Sequence, residues 1–416
     1  MITRIEIDGF KSFQDFKLDV PPFLVLIGTN ASGKSNLLDA LNFVATAATR
    51  GLDAAVAEVR GDARGLFRRR GDGTRVDRMS FALEFRRWRY ELRLSWAVPE
   101  GALEGIVVEA QRLVSLERRL PRGRDAESRP LQGVEIGEQV IELLPTSSAE
   151  PVGLSGLLDS PVLRPKADSR IVWDIRRELS EVRSLHLEAG SLRRASEFGG
   201  PKRMHSTGHN LPNYLRFLAR ETASENRPLG VVAEIKMHLV GLVREISDFV
   251  IVEDERRRDV RLEFASPYDQ SLDAEFASDG TLRMLAILAS LHDHGTVAVE
   301  EPENGVFPER LRQMLGLARG LVSDPRESPE RYGMAEERPR QAIFTSHSPV
   351  VLEVVPYENI AFLDMTTALE NGIASRVTRV RRLREDGGPV RITGERWPRI
   401  TDSELDRFRA GVEEAV

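Results

Sequence analysis

Ile2, Ile5 and Ile7 keep strand-like spacing ahead of GFKSF, Phe16, Leu18 and Val20 alternate with polar neighbours before Pro21 and Pro22, and residues 23–27 are apolar without a break. Alternation with period 2 predicts a strand covered on one face, and a short unbroken apolar run predicts one covered on both. Two antiparallel strands are therefore expected to deliver the chain to a third, buried strand. Leu37, Leu38, Leu41 and Phe43 then fit the buried face of a helix over 36–44. Residues 50–77, rich in Gly, Asp and Arg, read as loop around a short helix. A second alternating stretch follows, with Phe81, Leu83 and Phe85, then Tyr90, Leu92, Leu94 and Trp96, then 108–114 beyond a Pro-Glu-Gly turn. It predicts an antiparallel β lobe.

Residues 118–129 and 145–165 are punctuated by Pro and Gly and read as connections. From 168 to about 249 helical spacing dominates, including Val231, Ile235, Leu239, Leu242 and Ile246, but no heptad pattern lasts long enough for coiled-coil arms. Val260, Leu262 and Phe264 mark another strand, 282–291 another helix, and 296–299, 342–345 and 360–363 three short buried strands. Residues 403–416 have helical character, with Ser403 as the expected N-cap. The pattern predicts an α/β protein in three parts: an N-terminal half over 1–150, a mostly helical insert over 151–255, and a C-terminal half over 256–416. The two halves are expected to meet around one sheet.

Composition narrows the function classes. A chain of 416 residues with 41% hydrophobic content can bury a substantial core, and its formal charge of −6 is not that of a strongly basic nucleic-acid binder. With no cysteine, disulfides, thiolate metal sites and thiol nucleophiles are excluded together. The N-terminus lacks the basic and apolar blocks of a signal peptide, and no apolar run approaches the roughly 20 residues that cross a bilayer, so a cytoplasmic protein is expected. Only six of the 59 basic residues are lysine.

One of those six is the seventh residue of GTNASGKS, Gly28 to Ser35, which matches G-x-x-x-x-G-K-[ST] between the predicted buried strand and the predicted helix. In that context the glycines let successive N–H groups and the helix start face one anion. Lys34 would reach the β and γ phosphates and the Ser35 hydroxyl would hold Mg²⁺. Further on, VAVEEP ends an apolar strand in Glu300 and Glu301. Alternation along a strand gives them different jobs, one on the metal side and one as base or water-orienter. FTSHSP ends another such strand in His347, level with Glu301 if the two strands are parallel neighbours. Ser278 in ASDGT is a good N-cap ahead of 282–291, and a helix start with a hydroxyl is also an anion site.

In this order, GTNASGKS, ASDGTLRMLAIL, VAVEEPENGVFP and FTSHSP resemble the ABC-type ATPase heads of the SMC, Rad50, RecF and OLD group, most closely its compact, arm-less members. The resemblance covers roughly 1–50 and 270–365. It implies a P-loop NTPase with a bilobed head, an antiparallel β subdomain and a helical insert, and a site for ATP and Mg²⁺ shared between two copies. It places Gly28, Ser32, Gly33, Lys34, Ser35 and Asn36 in the phosphate loop, Asn30 near the γ phosphate and Lys11 close to the nucleotide. Glu300 takes the metal side, Glu301 is the catalytic glutamate and His347 the switch histidine, while Ser278 and Gly280 reach across to ATP on the opposite protomer. The glutamine that such heads add to the metal site has no clear counterpart: Gln111, Gln132 and Gln139 qualify by order alone. Phe307 stands where many relatives have histidine.

Two functions remain open at this level. One is a Mg²⁺-dependent ATPase whose ATP-bound heads form a homodimer, in DNA maintenance or antiviral defence. The other is a nucleotide-sensing scaffold that holds and releases a separate effector, such as a nuclease or toxin. A GTPase is excluded, because no lysine is preceded by the asparagine of a guanine reader. Basic clusters at 68–70, 118–124, 256–258 and 379–384 read as solvated surface, so weak, sequence-independent binding to DNA is the most they predict.

Overall fold

The alternating N-terminus folds as β1 (Ile2–Asp8) and β2 (Phe16–Asp19), paired antiparallel with Ile5 opposite Leu18 and Ile7 opposite Phe16. The computed structural model describes residues 1–97, 104–116, 140–142, 166–269, 271–322, 339–383 and 400–410. The chain continues through β3 (Phe23–Ile27), α1 (Lys34–Arg50) and α2 (Leu52–Glu58) into a meander of β4 (Arg78–Phe85), β5 (Trp88–Ala97), β6 (Gly105–Ser115) and β7 (Val140–Glu142). The meander joins the first pair in one antiparallel sheet, ordered β2-β1-β4-β5-β6-β7, which is the expected β lobe.

Beyond it come α3 (Lys166–Ser180), β8 (Val182–Leu185), β9 (Ser196–Glu197), α4 (Leu211–Thr222) and α5 (Val232–Leu242). A hairpin of β10 (Asp248–Asp254) and β11 (Asp259–Ala265) and the short β12 (Leu272–Asp273) lead to α6 (Asp279–His292) and β13 (Gly295–Glu300). Then follow α7 (Pro308–Leu321), β14 (Arg340–Ser346), β15 (Ile360–Glu370), β16 (Ile373–Arg382) and α8 (Asp402–Arg409). The second large sheet has the order β16-β15-β3-β14-β13-β8, parallel throughout except for the edge strand β16.

This sheet divides the core. Along β3, Phe23, Val25 and Ile27 enter one apolar cluster with Val297, Val299, Phe344 and the face of α6, while Leu24 and Leu26 enter the other with Ala298, Ile343 and α1. Successive side chains point to opposite faces and both faces are covered, which is why these strands read as unbroken apolar runs. Gln341 ties the two sheets together: its amide donates to Ile2 O at 2.7 Å, and its carbonyl oxygen accepts from Ile2 N at 2.9 Å.

Three elements differ from the reading of the pattern. Val182–Leu185 lies inside the stretch expected to be helical, yet it forms β8 and pairs in parallel with β13. Its pattern is masked by Arg183, which is buried with its two terminal amino groups donating to Tyr214 Oη at 3.0 Å, the Asp293 carboxylate and His294 O at 2.6 Å. The expected division at residue 255 falls between β10 and β11, which pair over their whole length. The C-terminal helix is capped by Thr401 rather than Ser403: its hydroxyl accepts from Glu404 N, and the Glu404 carboxylate accepts from Thr401 N at 2.8 Å.

Two basic clusters are solvated only in part, Arg69 being exposed. Arg68 is buried against Glu370. Arg379 and Arg381 pair with Asp364, and Arg381 also reaches Glu404. Arg256–Arg258 lies exposed at the tip of the β10–β11 hairpin, and 118–124 lies outside the described residues.

Candidate nucleotide-binding site

The cradle forms where β3 ends and α1 begins. Gly33 precedes α1 in the left-handed region (φ 98°), and a Cβ there would lie 2.1 Å from Thr378 Oγ1, so the loop closes against β16 only with glycine. Lys34 is the first helical residue, and only 5% of it is exposed. Its ammonium donates to Gly28 O and Thr29 O, each at 2.8 Å, and to Ser32 Oγ at 3.3 Å, folding the loop around itself. Asn36 donates to Ser12 Oγ at 2.9 Å, which anchors the loop to the turn within GFKSF. Lys11, at the start of that turn, pairs with Asp39 of α1 at 2.6 Å. Asn30 lies exposed at the loop tip.

The parallel neighbours bring the other groups to the same sheet edge. Glu300 is the last residue of β13, and its Oε1 accepts from Ser35 Oγ. Burial would raise its pKa, but the Ser35 hydroxyl, the Arg60 guanidinium at 3.6 Å and His186 outweigh that and hold it below the usual carboxylate range. Glu301 has left the strand in the left-handed region (φ 46°), strain of the kind that concentrates at functional sites. That turn sends its carboxylate to the other side of the cradle, where His347 Nε2 lies 3.1 Å from Oε1 and Asn304 donates to Oε2 at 2.8 Å. His347 Nδ1 lies 3.5 Å from Lys34 Nζ, so the imidazole sits between the lysine and Glu301.

Glu303, absent from the reading of the motifs, accepts from Ser346 Oγ at 2.9 Å and from His347 N at 2.7 Å, and so holds the histidine turn in place. As the third acid of EEPEN it carried a visible signal. Arg60, Asp39 and His186 carried none, since each stands outside any motif.

The residues present fit a nucleotide and a hard divalent cation. A buried ammonium held only by neutral oxygens and an imidazole has charge left for phosphate. A hydroxyl and one carboxylate suit Mg²⁺ when phosphate oxygens complete its shell. Among the described residues no group of three or more His, Asp or Glu side chains is placed to hold a metal ion.

Burial brings the Lys34 pKa down to about 8, against the opposing pull of Glu301, Glu303 and Glu300. A bound phosphate requires the ammonium form, so nucleotide affinity is expected to be full below about pH 8. Above that it should fall by at most about tenfold per pH unit as the free protein loses the proton. Titrating a fluorescent ATP analogue from about pH 7 to about pH 9.5 checks this. A flat profile contradicts it.

Ser278 caps α6, its hydroxyl accepting from Thr281 N, and Ser278 and Asp279 are exposed. Gly280 packs on the Gly305 carbonyl, where a Cβ would come within 2.4 Å. Phe276 and Phe307, both 71% exposed, flank this helix start, and the Arg310 guanidinium lies 5.7 Å from the Phe307 ring. The missing glutamine is not supplied by Gln111, which is buried on β6 in the antiparallel sheet, and Gln132 and Gln139 lie outside the described residues.

Family comparison agrees with this geometry. Residues 1–66 match a family described as an AAA ATPase domain, and residues 162–353 match an AAA domain family described as putative AbiEii toxin, Type IV TA system. Together with the parallel sheet and its glycine cradle, the matched segments support an ATPase head similar to those of the SMC and RecF group. Within that group it is similar to the DNA replication and repair protein RecF of Lactococcus lactis strain IL1403, with 28% identity over 188 residues, 45% of this chain and 40% of that protein. It is also similar to the chromosome partition protein Smc of Methanocaldococcus jannaschii, with 48% identity over 44 residues, 10% of this chain and 4% of that protein. The matched stretch thus spans well under half of these relatives' length.

Solved structures that it resembles include an SMC head bound to the C-terminal winged-helix domain of ScpA, with a TM-score of 0.49 at 11% identity over 91% of this chain and 97% of that one. Another is the SMC head domain from Thermotoga maritima, with a TM-score of 0.40 at 11% identity over 90% and 98%. No helix among the described residues is long and apolar enough to cross a membrane.

Proposed function

We propose that this chain hydrolyses ATP with Mg²⁺ and that two copies close on the nucleotide, each supplying the phosphate cradle of one site and the α6 start of the other. The observation that carries the reading is the convergence of Lys34, Glu301 and His347. A phosphate-binding ammonium, a carboxylate that accepts a proton from water, and an imidazole that orients the carboxylate meet at one sheet edge. Gly28, Ser32, Gly33 and Lys34 bind the phosphates, with Asn30 and Lys11 at the rim and Asn36 bracing the loop. Ser35 and Glu300 hold the cation's shell, which offsets charge on the phosphates. Glu301 takes the proton of the attacking water, and His347 holds the carboxylate in line.

The start of α6 supports the shared site, because Ser278 and Asp279 are exposed there and a helix N-terminus favours an anion. With a Glu301→Gln background to retain ATP, Ser278→Arg is expected to leave nucleotide binding intact and abolish the ATP-dependent rise in solution mass. Equal dimerisation would remove Ser278 and Gly280 from the site.

Similarity to RecF and Smc favours work in DNA repair or maintenance. Pairing of Arg68, Arg379 and Arg381 with acids leaves fewer cations for phosphate and favours weak, sequence-independent contact with DNA that fades with salt. The description of the family matched over 162–353, a putative toxin of a Type IV TA system, favours a second reading, in which the head senses nucleotide and releases a separate effector such as a toxin. Retardation of duplex DNA at low salt with ATP present supports the first reading, and its absence favours the second.

A further inference from the structure

His186 belongs to none of the motifs, yet it touches the metal side of the cradle. Leu185, the last residue of β8, pairs with Val299 of β13, so His186 and Glu300 are the next neighbours along two parallel strands. His186 Nδ1 lies 2.6 Å from Glu300 Oε2, while Oε1 takes the Ser35 hydroxyl, so one residue engages each carboxylate oxygen. An ionised carboxylate only accepts hydrogen bonds. Nδ1 is therefore the donor and Nε2 is left as the outer nitrogen.

The backbone of this turn is fixed independently, with His186 N donating to Ser206 O at 2.8 Å and Glu188 N to Thr207 O at 3.2 Å. The side chain itself is 62% exposed, so packing does not force the ring onto the carboxylate. Without the imidazole, Glu300 keeps Ser35 and the more distant Arg60, and its carboxylate is free to turn about its terminal torsion. A carboxylate that must accept hydrogen bonds from a cation's water shell loses that role when its plane is not held. Partners one step removed from a metal typically carry 10- to 100-fold in affinity.

We propose that His186 is the positioning residue of the metal side, holding the Glu300 carboxylate plane so that Oε1 stays on Ser35. The inference rests on the nucleotide reading of the cradle.

The test uses Mn²⁺ as a spectroscopic probe of the full chain saturated with a non-hydrolysable ATP analogue, read by electron paramagnetic resonance. His186→Ala is expected to weaken Mn²⁺ binding about 10- to 100-fold, with the melting temperature and the nucleotide affinity in EDTA unchanged. His186→Asn, whose amide nitrogen overlays Nδ1, restores most of the affinity, whereas His186→Gln, whose nitrogen overlays Nε2, does not. Wild-type Mn²⁺ affinity in the alanine variant, or rescue by Gln and not by Asn, overturns the proposal. If the wild-type chain binds no nucleotide, the reading of the cradle falls and takes this inference with it. Nucleotide binding with Mn²⁺ affinity indifferent to His186 removes the inference alone.

Discussion

Glu301→Gln is expected to lower ATP turnover by at least about a hundredfold, the usual worth of a positioned base, while ATP binding persists. The amide keeps the size of the carboxylate and can still accept from Asn304 through its oxygen, but it cannot take a proton from water. Its nitrogen is a donor facing His347 Nε2, so the imidazole must shift its own proton to Nδ1 to keep the contact. That proton would then point toward the Lys34 ammonium, 3.5 Å away, so the bond from His347 should weaken together with the chemistry. ATP held without turnover should accumulate a species of doubled mass in solution. Steady-state phosphate release and light scattering with and without ATP check both parts. An unchanged rate would assign the base to another residue.

Lys34→Ala is expected to weaken ATP binding by at least about a hundredfold, equivalent to about 3 kcal/mol, since hydrogen bonds to a charged group contribute roughly 1.5–3 kcal/mol each. The ATP-dependent dimer should be lost with it. The variant also leaves the carbonyls of Gly28 and Thr29 without their donor, so the loop loses its own closure. A thermal melt separates the two effects: the cradle lies at a sheet edge, and β3 stays packed on both faces whatever residue 34 is. Calorimetric titration with ATP that still detected wild-type affinity would mean that the phosphates bind elsewhere.

What sequence reasoning reached and what it missed have physical causes. GTNASGKS was legible because a phosphate loop is a local object: its glycine, its lysine and the helix start lie within eight positions and are constrained by the backbone alone. The acids of VAVEEP and the histidine of FTSHSP were legible because an apolar run that stops at a polar group marks a sheet edge. The separate jobs of Glu300 and Glu301 follow from alternation only in part, since the left-handed turn at Glu301 sets its direction.

β8 was not legible because four residues are too few to show a period and one of them is a buried arginine whose partners lie 31 to 111 positions away. The expectation of solvated arginine clusters failed at the buried Arg68 and Arg381, which meet Glu370 and Glu404 on other elements of the fold. A buried cation is tolerated only where acids from elsewhere in the chain meet it, and composition does not record that meeting.

By itself, then, the sequence determined the local pieces: a strand that runs into a glycine loop and a helix, two strand ends with acids and a histidine, and a capped helix with an open start. Each rests on backbone geometry and side-chain chemistry that act over a few residues. Only the tertiary structure decided which strands lie side by side, and so that Lys34 meets His347 across 313 positions and Ser35 meets Glu300 across 265. Strands covered on both faces are apolar throughout, so nothing in their side chains labels a neighbour. Their order is set by the helices and the second sheet that close over them, and the pairing of His186 with Glu300 follows from that order.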